Sequence, residues 1–266
     1  MLAQRETHAD DRRDSTDPPG RTPPFLAGFG READLPPPGW YRSFKRAGDF
    51  VLAGLLLVGT APLILLAGVL VKLTSRGPII YSQVRLGLRG RPFTLYKIRT
   101  MVHDCERTSG PRWAAPGDER VTAVGRFLRR THLDELPQLW NVLRGDMSLV
   151  GPRPERPEFV PQLEKVIPHY RQRMLVPPGL TGLAQVQLPP DTDLSSVRRK
   201  LAYDLHYVKS IGLWLDVRIV LVTVCHVLGL PLAFARLFFR PPQRERIELA
   251  YQTLAAENGV AKTYSA

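Results

Sequence analysis

A run of 22 residues from Phe50 to Val71 contains no charged side chain. A straight α-helix of this length spans roughly 33 Å, which matches a hydrocarbon core of about 30 Å. The run therefore predicts a helix that enters a membrane. Pro62 lies near its middle, where proline removes a backbone hydrogen bond and bends a helix.

Basic residues flank this run on both sides. Lys45 and Arg46 precede it, and Lys72 and Arg76 follow it. Lysine and arginine favour the cytoplasmic side of a membrane, so both ends are expected there. A helix that bends at Pro62 and returns to the same leaflet satisfies this expectation. A plain transmembrane anchor with a tolerated proline is the alternative.

Residues 79–186 contain short segments with strand-like and helix-like patterns, which predict a soluble α/β domain. Two runs, 78–87 and 92–101, lie on either side of a turn rich in glycine and arginine, and they predict a pair of strands. Apolar residues at helical spacing predict a helix over 121–130.

The segment 134–145 predicts the next helix. Asp134 lies at or near its N-cap, Pro137 falls in the first turn, where proline is tolerated, and Gly145 is a natural C-terminal stop. The apolar stretch 147–150 then predicts a short strand.

Three further segments complete the soluble part. Residues 156–174 predict an amphipathic helix that Pro161 and Pro168 bound or bend. Residues 176–186 predict a turn-rich loop, and residues 194–210 predict a helix with polar and apolar faces.

The last apolar stretch extends from residue 211 to residue 239. Asp216 and Arg218 interrupt it early, which favours an interfacial amphipathic helix followed by a segment that touches the membrane. A second transmembrane helix over 219–239 is the alternative.

Charge is distributed unevenly along the chain. Residues 1–41 contain seven of the 25 prolines, five arginines and seven acidic residues, which predicts a disordered tail. The remainder carries 32 basic and 18 acidic residues. Such an excess indicates an anionic partner: lipid headgroups, phosphorylated small molecules or nucleic acid. Nucleic acid is disfavoured, because no helix-turn-helix, zinc-finger or aromatic RNA-binding signature is found.

The two cysteines indicate the compartment. Cys105 and Cys225 lie far apart in unlike contexts and suggest neither a disulfide framework nor a zinc site. A reducing, cytoplasmic setting fits this pattern.

Adjacent carboxylates, Asp134 and Glu135, lie between Arg129 and Arg130 on one side and Arg153 on the other. An ionised aspartate can attack phosphorus. However, unit negative charges about 4 Å apart repel by about 4 kcal/mol at an effective dielectric constant near 20, so cations must surround the attacking group. Arginine side chains and a bound Mg²⁺ ion would supply this positive charge. The alternative is purely structural: carboxylates that cap a helix, beside arginines on a solvated face.

Five motifs occur in an order that resembles the bacterial sugar transferase family, the monotopic polyprenyl-phosphate phosphoglycosyl transferases. The resemblance extends from about Lys45 to Val222. The motifs are KRAGD (45–49), YKIRTM (96–101), RRTHLDELPQLWNVLRGDMSLVGPRP (129–154), PGLTGLAQV (178–186) and YDLHYVKSIGLWLDVRIV (203–220).

The resemblance implies an enzyme that transfers a sugar-1-phosphate from a UDP-sugar to undecaprenyl phosphate and releases UMP. This would be the first membrane step of exopolysaccharide or related glycan assembly, at the cytoplasmic face of the bacterial inner membrane. Membrane lipids and downstream glycosyltransferases would be its other partners.

The resemblance also implies roles for individual residues. Asp134 would be the nucleophile that forms a phospho-sugar intermediate, and Glu135 its partner in the dyad; both are candidate Mg²⁺ ligands. Three basic residues would hold substrate phosphates, and two would meet the polyprenyl phosphate. The first set is Arg129, Arg153 and Lys97; the second is Lys45 and Arg46.

The implied fold is a mostly helical α/β domain associated with the membrane, with an N-terminal re-entrant helix and interfacial amphipathic helices. Four regions are expected: the tail (1–41), the membrane helix (42–76), the catalytic domain (77–225), and a membrane-touching segment with a polar tail (226–266).

Some positions depart from the family pattern. Ala61 precedes Pro62 where serine is common, and Pro177 and Leu183 stand where lysine and tryptophan are usual. The changed loop leaves the donor sugar undetermined. A rival function is a non-catalytic membrane-surface scaffold that binds anionic lipid; it would require neither Asp134 nor Mg²⁺.

Overall fold

The computed structural model describes residues 39–106, 110, 117–189, 193–230, 245–249 and 251. The predicted tail up to residue 38, the apolar segment 231–239 and the end of the polar tail lie outside these residues. The described part is mostly helical, with two two-stranded sheets. Its helices are α1 Gly39–Thr74, α2 Ala123–Arg130, α3 Gln138–Arg144, α4 Val160–Val166, α5 Leu183–Gln187, α6 Leu194–Ser210 and α7 Leu213–Val227. Its strands are β1 Ile80–Leu86, β2 Pro92–Ile98, β3 Ser148–Val150 and β4 Gly179–Thr181.

The predicted membrane helix is α1, a helix of 36 residues that continues through Pro62. It begins at Gly39, three residues before the expected boundary. Among the described helices, α1 is the one that is long and apolar enough to cross a membrane.

One face of α1 packs on the domain at two separate places. Near its start, Ala53 joins the main core beside α3. Near its end, Ala67 and Val71 pack against Ile98 of β2 and Leu128 of α2. The same domain therefore contacts both halves of the helix.

The opposite face of α1 is apolar and exposed. Leu55, Val58 and Leu65 keep 67%, 76% and 71% of their surface accessible. A contiguous exposed apolar surface of this kind marks a contact with lipid or with another protein.

The predicted strand pair is confirmed as an antiparallel hairpin, β1–β2. Its register places Tyr81 opposite Lys97. The Lys97 ammonium lies 5.3 Å from the centre of the Tyr81 ring, so the two side chains share a face of the hairpin.

Helix α2 is held against the end of β2 by a close backbone contact. The Thr122 side chain accepts a hydrogen bond from the backbone N–H of Gly125 and so caps the start of the helix. The predicted helix over 121–130 is confirmed. A Cβ atom on Gly125 would lie 2.0 Å from the Thr100 carbonyl oxygen, so only glycine fits. This contact positions Arg129, whose Nε donates to Thr100 Oγ1 at 2.8 Å.

The segment 134–145 is not one helix, and the prediction that Asp134 is its N-cap is wrong. Leu133–Glu135 forms a separate 3₁₀ turn, and α3 begins only at Gln138. Pro137 lacks the N–H that would bond to the carbonyl of Leu133, so the chain closes a tighter turn before the helix starts. The predicted stop at Gly145 is confirmed, with a left-handed backbone at φ 83°.

The predicted strand at 147–150 is β3, which pairs in parallel with β4. The prediction of an irregular loop at 176–186 is therefore wrong in part, since β4 and α5 lie within it. A Cβ on Gly179 would lie 2.0 Å from the Gly151 nitrogen. The glycine pair thus lets two backbones meet at the start of the loop that carries Arg153.

The predicted helix over 156–174 is shorter in the structure. Helix α4 ends before Pro168, and a 3₁₀ turn over Tyr170–Leu175 follows it. Helix α6 matches its prediction and begins with a capping box between Asp193 and Ser196.

Helix α7 has one face in the core and one exposed apolar face. Asp216, Ile219 and Val222 are buried. Trp214 and Val227 are exposed at 66% and 52%. The second transmembrane helix proposed over 219–239 falls only partly within the described residues.

Asn141 joins α3 to the hairpin, and its loss should destabilise the domain. This buried side chain donates to the Thr94 carbonyl at 2.7 Å and accepts from the Tyr96 N–H at 3.2 Å. Asn141→Ala leaves both backbone groups without that partner, so we expect the free energy of unfolding to fall by about 2 to 4 kcal/mol. Urea unfolding in detergent micelles measures this change.

The matched control is Arg144→Ala on the same helix, whose side chain is 54% exposed. Its expected cost is below about 1 kcal/mol. Equal losses of unfolding free energy in Asn141→Ala and Arg144→Ala would contradict a specific stabilising role for the Asn141 side chain.

Candidate active site

The two candidate catalytic carboxylates lie in the 3₁₀ turn Leu133–Glu135 and have different environments. Asp134 is buried, with 5% of its surface exposed. Within the described residues its carboxylate makes no hydrogen bond and no ion pair. Glu135 accepts from Arg153, with Oε1 and Nη2 2.5 Å apart. Of these two adjacent carboxylates, Glu135 is therefore ion-paired and Asp134 has no bonded partner among the described residues.

Three cations surround Asp134. Burial and then the neighbouring charge of Glu135 raise the pKa of the Asp134 carboxyl, and the charges of Lys97, Arg129 and Arg153 partly offset this rise. The structure therefore brings together the five residues predicted around the dyad. Their chemical roles stay predictions.

The pKa of Glu135 moves in the opposite direction. Burial acts to raise it, but the charge of Arg153 and the hydrogen bond from its guanidinium hold it below the ordinary glutamate value. A pair of carboxyl groups whose pKa values are pushed apart can take two different roles in one reaction.

Lys97 projects from β2 toward the dyad. Burial lowers the pKa of its ammonium to about 8, and the charges of Arg85 and Arg153 add to this effect. Glu135 and Asp134 act the other way. Lys97 is therefore a cation that neutralises readily at mildly alkaline pH.

A cleft of about 510 Å³ lies between the hairpin and α2; Lys97 and Arg129 line it, whereas Asp134, Glu135 and Arg153 are not among its lining residues. This volume is within the range of small-molecule sites, about 300 to 1,000 Å³. Asp104, Glu106 and Glu155 contribute negative charge. The basic side chains among the described lining residues are Arg85, Lys97, Arg99, Arg120, Arg129 and Arg156. The cleft is net positive and suits an anionic ligand.

Several of these cations already have carboxylate partners. Arg156 donates twice to Glu106, at 3.0 Å each, and Arg120 pairs with Asp118 at 2.6 Å. Lys97 and Arg129 make no ion pair with any carboxylate in the described part of the chain. Both act on the charge of Asp134, and neither is neutralised by an ion pair there, so their charge is available to a ligand.

Lys45 and Arg46 lie elsewhere. Lys45 Nζ is 2.6 Å from Asp216 Oδ2, and Asp216 also accepts from the hydroxyls of Tyr41 and Tyr207 at 3.0 and 2.7 Å. Lys45 is thereby tied to α7. Its predicted contact with the polyprenyl phosphate is untested.

Arg46 is exposed and lies against Gly145, at the end of α3 away from the dyad. The dyad, by contrast, precedes the first residue of α3. Its predicted role at the acceptor phosphate is likewise untested.

Sequence reasoning missed a buried set of residues beneath the Arg153 loop. Arg173, on the 3₁₀ turn Tyr170–Leu175, is 4% exposed and donates from Nη2 to the Arg153 carbonyl at 3.0 Å. It also pairs with Glu155 and Asp204 at 3.2 and 2.7 Å. The sequence signal was an arginine in a segment predicted as an amphipathic helix, which did not indicate burial.

The described residues contain no cluster of three or more histidine, cysteine, aspartate or glutamate side chains that could hold a metal. A fully protein-bound metal centre is therefore not found there. Two carboxylates, with Asp134 unpaired, do fit Mg²⁺, which commonly takes one or two carboxylates and completes its shell with water and substrate phosphates.

Residues 40–229 match the sequence profile of the bacterial sugar transferases. The chain belongs to the bacterial sugar transferase family. The predicted family is thereby confirmed.

The relatives act on more than one sugar, according to their names. The chain is 50% identical over 184 residues, 68% of each chain, to a UDP-glucose:undecaprenyl-phosphate glucose-1-phosphate transferase of Caulobacter vibrioides. It is 44% identical over 188 residues to a UDP-N-acetylgalactosamine-undecaprenyl-phosphate N-acetylgalactosaminephosphotransferase of Aeromonas hydrophila, which covers 71% of this chain. An exopolysaccharide production protein of Rhizobium leguminosarum is 40% identical over 185 residues, 68% of this chain and 92% of its own.

The relatives differ in length from this chain. The matched region covers only 44% of the Aeromonas hydrophila protein and 40% of a UDP-glucose:undecaprenyl-phosphate glucose-1-phosphate transferase of Xanthomonas campestris. The chain thus spans less than half of these two relatives.

Proposed function

We propose that this member of the bacterial sugar transferase family transfers a sugar-1-phosphate from a UDP-sugar to undecaprenyl phosphate and releases UMP. The reaction would pass through a phospho-sugar intermediate on Asp134. It would be the first membrane step in the assembly of an exopolysaccharide or a related glycan. Relatives named for this chemistry support the proposal.

The observation that carries the proposal is the buried Asp134 carboxylate, which has no hydrogen-bonded or ion-paired partner among the described residues. A carboxylate that only caps a helix would bond to backbone N–H groups, and Asp134 makes no such bond within the described residues. Lys97, Arg129 and Arg153 surround it and reduce its repulsion toward a diphosphate.

In the first step, an Asp134 oxygen attacks the β-phosphorus of the donor. A bond forms between that oxygen and phosphorus, and the bond from the β-phosphorus to the bridging oxygen breaks. UMP leaves with the electron pair of that bond. Arg153 and Lys97 would offset the negative charge that collects on the phosphoryl oxygens.

In the second step, a phosphate oxygen of undecaprenyl phosphate attacks the phosphorus of the aspartyl phospho-sugar. The bond to Asp134 breaks and the carboxylate is restored. The product is undecaprenyl diphosphate-sugar. Glu135, held by Arg153, would remain ionised and could orient the incoming group.

Mg²⁺ would be held by Asp134 and Glu135 together with donor phosphates. When bound, it would neutralise charge on the diphosphate and so favour attack by an anion. Arg153 already supplies part of this neutralisation at Glu135.

The cleft between the hairpin and α2 would receive the donor. Its net positive lining matches the charge of a nucleoside diphosphate, and it includes Lys97 and Arg129, whose charges also act on Asp134. The diphosphate would therefore bind beside these two side chains.

Placement at the cytoplasmic face of the membrane is part of the proposal. The domain packs on both halves of α1, and the basic flanks of α1 would lie on one side. A straight spanning helix would carry one of these packing sites across the bilayer, away from the domain. A re-entrant α1, with the exposed apolar face of α7 at the interface, avoids this conflict.

Asp134→Asn should abolish transfer and leave membrane binding intact, because an amide is a poor nucleophile toward phosphorus. Wild-type protein incubated with donor labelled at the β-phosphate, without acceptor, should retain label and release UMP. UDP-glucose and UDP-N-acetylgalactosamine are the first donors to compare. Label should move to lipid when undecaprenyl phosphate is added.

The control is Glu164→Gln, an acid-to-amide change on α4 that should retain activity. Wild-type turnover by Asp134→Asn would refute the nucleophile. Release of UDP in place of UMP would indicate an ordinary glycosyltransferase. Lipid binding with no turnover of any donor would favour the scaffold.

The KM for the donor should depend on the charge of Lys97. Its pKa lies near 8, so the cation is present below that pH and is lost as pH rises through it. The KM should therefore increase above pH 8. Lys97→Arg keeps its charge at higher pH and should flatten this rise.

Lys165→Arg, at an exposed site on α4, is the matched control and should leave the pH profile unchanged. If Lys97→Arg retained the wild-type alkaline rise, another group would be responsible.

Both ends of α1 should be inaccessible from outside the cell. Single cysteines at Ser43 and Thr74 would be placed in a protein with Cys105 and Cys225 replaced by serine. In intact spheroplasts a membrane-impermeant maleimide should label neither site, and in opened membranes it should label both. Labelling of one site in intact spheroplasts would establish a spanning helix.

A further inference from the structure

The Arg153 loop is held by its backbone as well as by its prolines. The carbonyl of Arg153 accepts from Arg173 Nη2 at 3.0 Å, and the carbonyl of the next residue, Pro154, accepts from Arg85 Nη1 at 3.1 Å. Prolines restrict the φ angles of this loop but do not orient it relative to the rest of the domain. Two guanidinium groups, from β1 and from a 3₁₀ turn, supply that orientation.

Arg173 is the more deeply buried of the two. Its guanidinium lies among the carboxylates of Glu155 and Asp204 and donates to the Tyr170 hydroxyl at 3.0 Å. A buried guanidinium costs several kcal/mol unless it is paired and hydrogen-bonded, and here both conditions are met. Five donors in a fixed plane can serve all these acceptors at once, whereas a lysine ammonium cannot.

Glu155 links the two arginines. Its carboxylate lies 3.2 Å from Arg173 and 3.9 Å from Arg85, and its backbone carbonyl accepts from Leu86 N at 2.9 Å. The hairpin, the Arg153 loop and the Tyr170–Leu175 turn are thereby joined beneath the dyad.

The position of this loop affects the dyad through the side chain of Arg153. The Arg153 guanidinium is 42% exposed and is bonded to Glu135, so its position depends on the backbone from which it extends. A shift of the loop would move Arg153 relative to both Glu135 and the donor's phosphates.

We propose that Arg173 is a positioning residue for the transfer reaction: by holding the Arg153 carbonyl, it keeps the Arg153 guanidinium in place at the dyad. This inference rests on the proposed function for its kinetic effect. Asp204 on α6 pairs with Arg173, so it helps to hold Arg173 in this position.

The kinetic test is a double-mutant cycle. Arg173→Lys retains a charge for Asp204 and Glu155 but cannot also reproduce the bond to the Arg153 carbonyl. We expect kcat to fall by about 10- to 100-fold with little change in KM, because misplacement by about 1 Å has effects of this size. With Arg153→Met already present, Arg173→Lys should add less than about a twofold loss. An undiminished loss in that background would overturn the proposal.

Asp204→Asn is a second variant for the case in which Arg173→Lys folds poorly. Asp204→Asn preserves the shape of the side chain and should also lower kcat, by a smaller factor than Arg173→Lys does. Arg171→Lys is the matched control, because Arg171 lies on the same turn but pairs with Glu164 of α4. It should leave kcat unchanged; a loss equal to that of Arg173→Lys would also overturn the proposal.

A measurement without turnover separates this inference from the proposed function. Hydrogen exchange followed by mass spectrometry should show faster exchange at residues 151–156 in Arg173→Lys, with α3 and the melting temperature little changed. Faster exchange there together with no donor chemistry in the wild type would refute the function alone. Unchanged exchange at 151–156 would refute the positioning role.

Discussion

The structure around the dyad depends on how two adjacent, largely enclosed carboxylates are balanced by positive charge. Two such groups repel each other strongly in a medium of low dielectric constant. The Glu135–Arg153 ion pair neutralises one of them and leaves Asp134 without a bonded partner. Each neighbouring element contributes one cation: the hairpin brings Lys97 and α2 brings Arg129. The fold therefore keeps one carboxylate of the pair unpaired, as the proposed nucleophile would need to be.

Features encoded by neighbouring residues could be predicted from the sequence. The hairpin follows from two short runs around a glycine-rich turn, and α6 follows from its periodicity and its cap. The grouping of basic residues around Asp134 followed from family resemblance. The split of segment 134–145, by contrast, was not predicted, because proline is tolerated in the first turn of a helix that begins at Asp134.

Features that depend on distant residues could not be predicted. Lys45 pairs with Asp216, 171 positions away, and neither residue carries a local sign of the other. The support of Arg153 by Arg173 is similar, since an arginine in an amphipathic pattern is normally placed at the surface. Burial of a charged side chain is decided by partners from other elements. Single-sequence patterns contain no information about those partners, so the dyad was found but its support was not.

In the proposed function, α1 would couple the membrane to the active site. The helix touches the main core near Ala53 and the smaller cluster near Val71, and the residues between the dyad and α3 lie beside it. If the acceptor is lipid-linked, as proposed, its phosphate would be confined to the bilayer surface and could meet only a nucleophile held at a set depth. Packing along both halves of α1 would provide that depth. The tie between Lys45 and Asp216 then fixes the start of α1 to α7, whose exposed face is apolar as well. If both apolar faces contact lipid, as proposed, this ion pair would couple their orientations, because rotation about one helix would lift the other from the lipid.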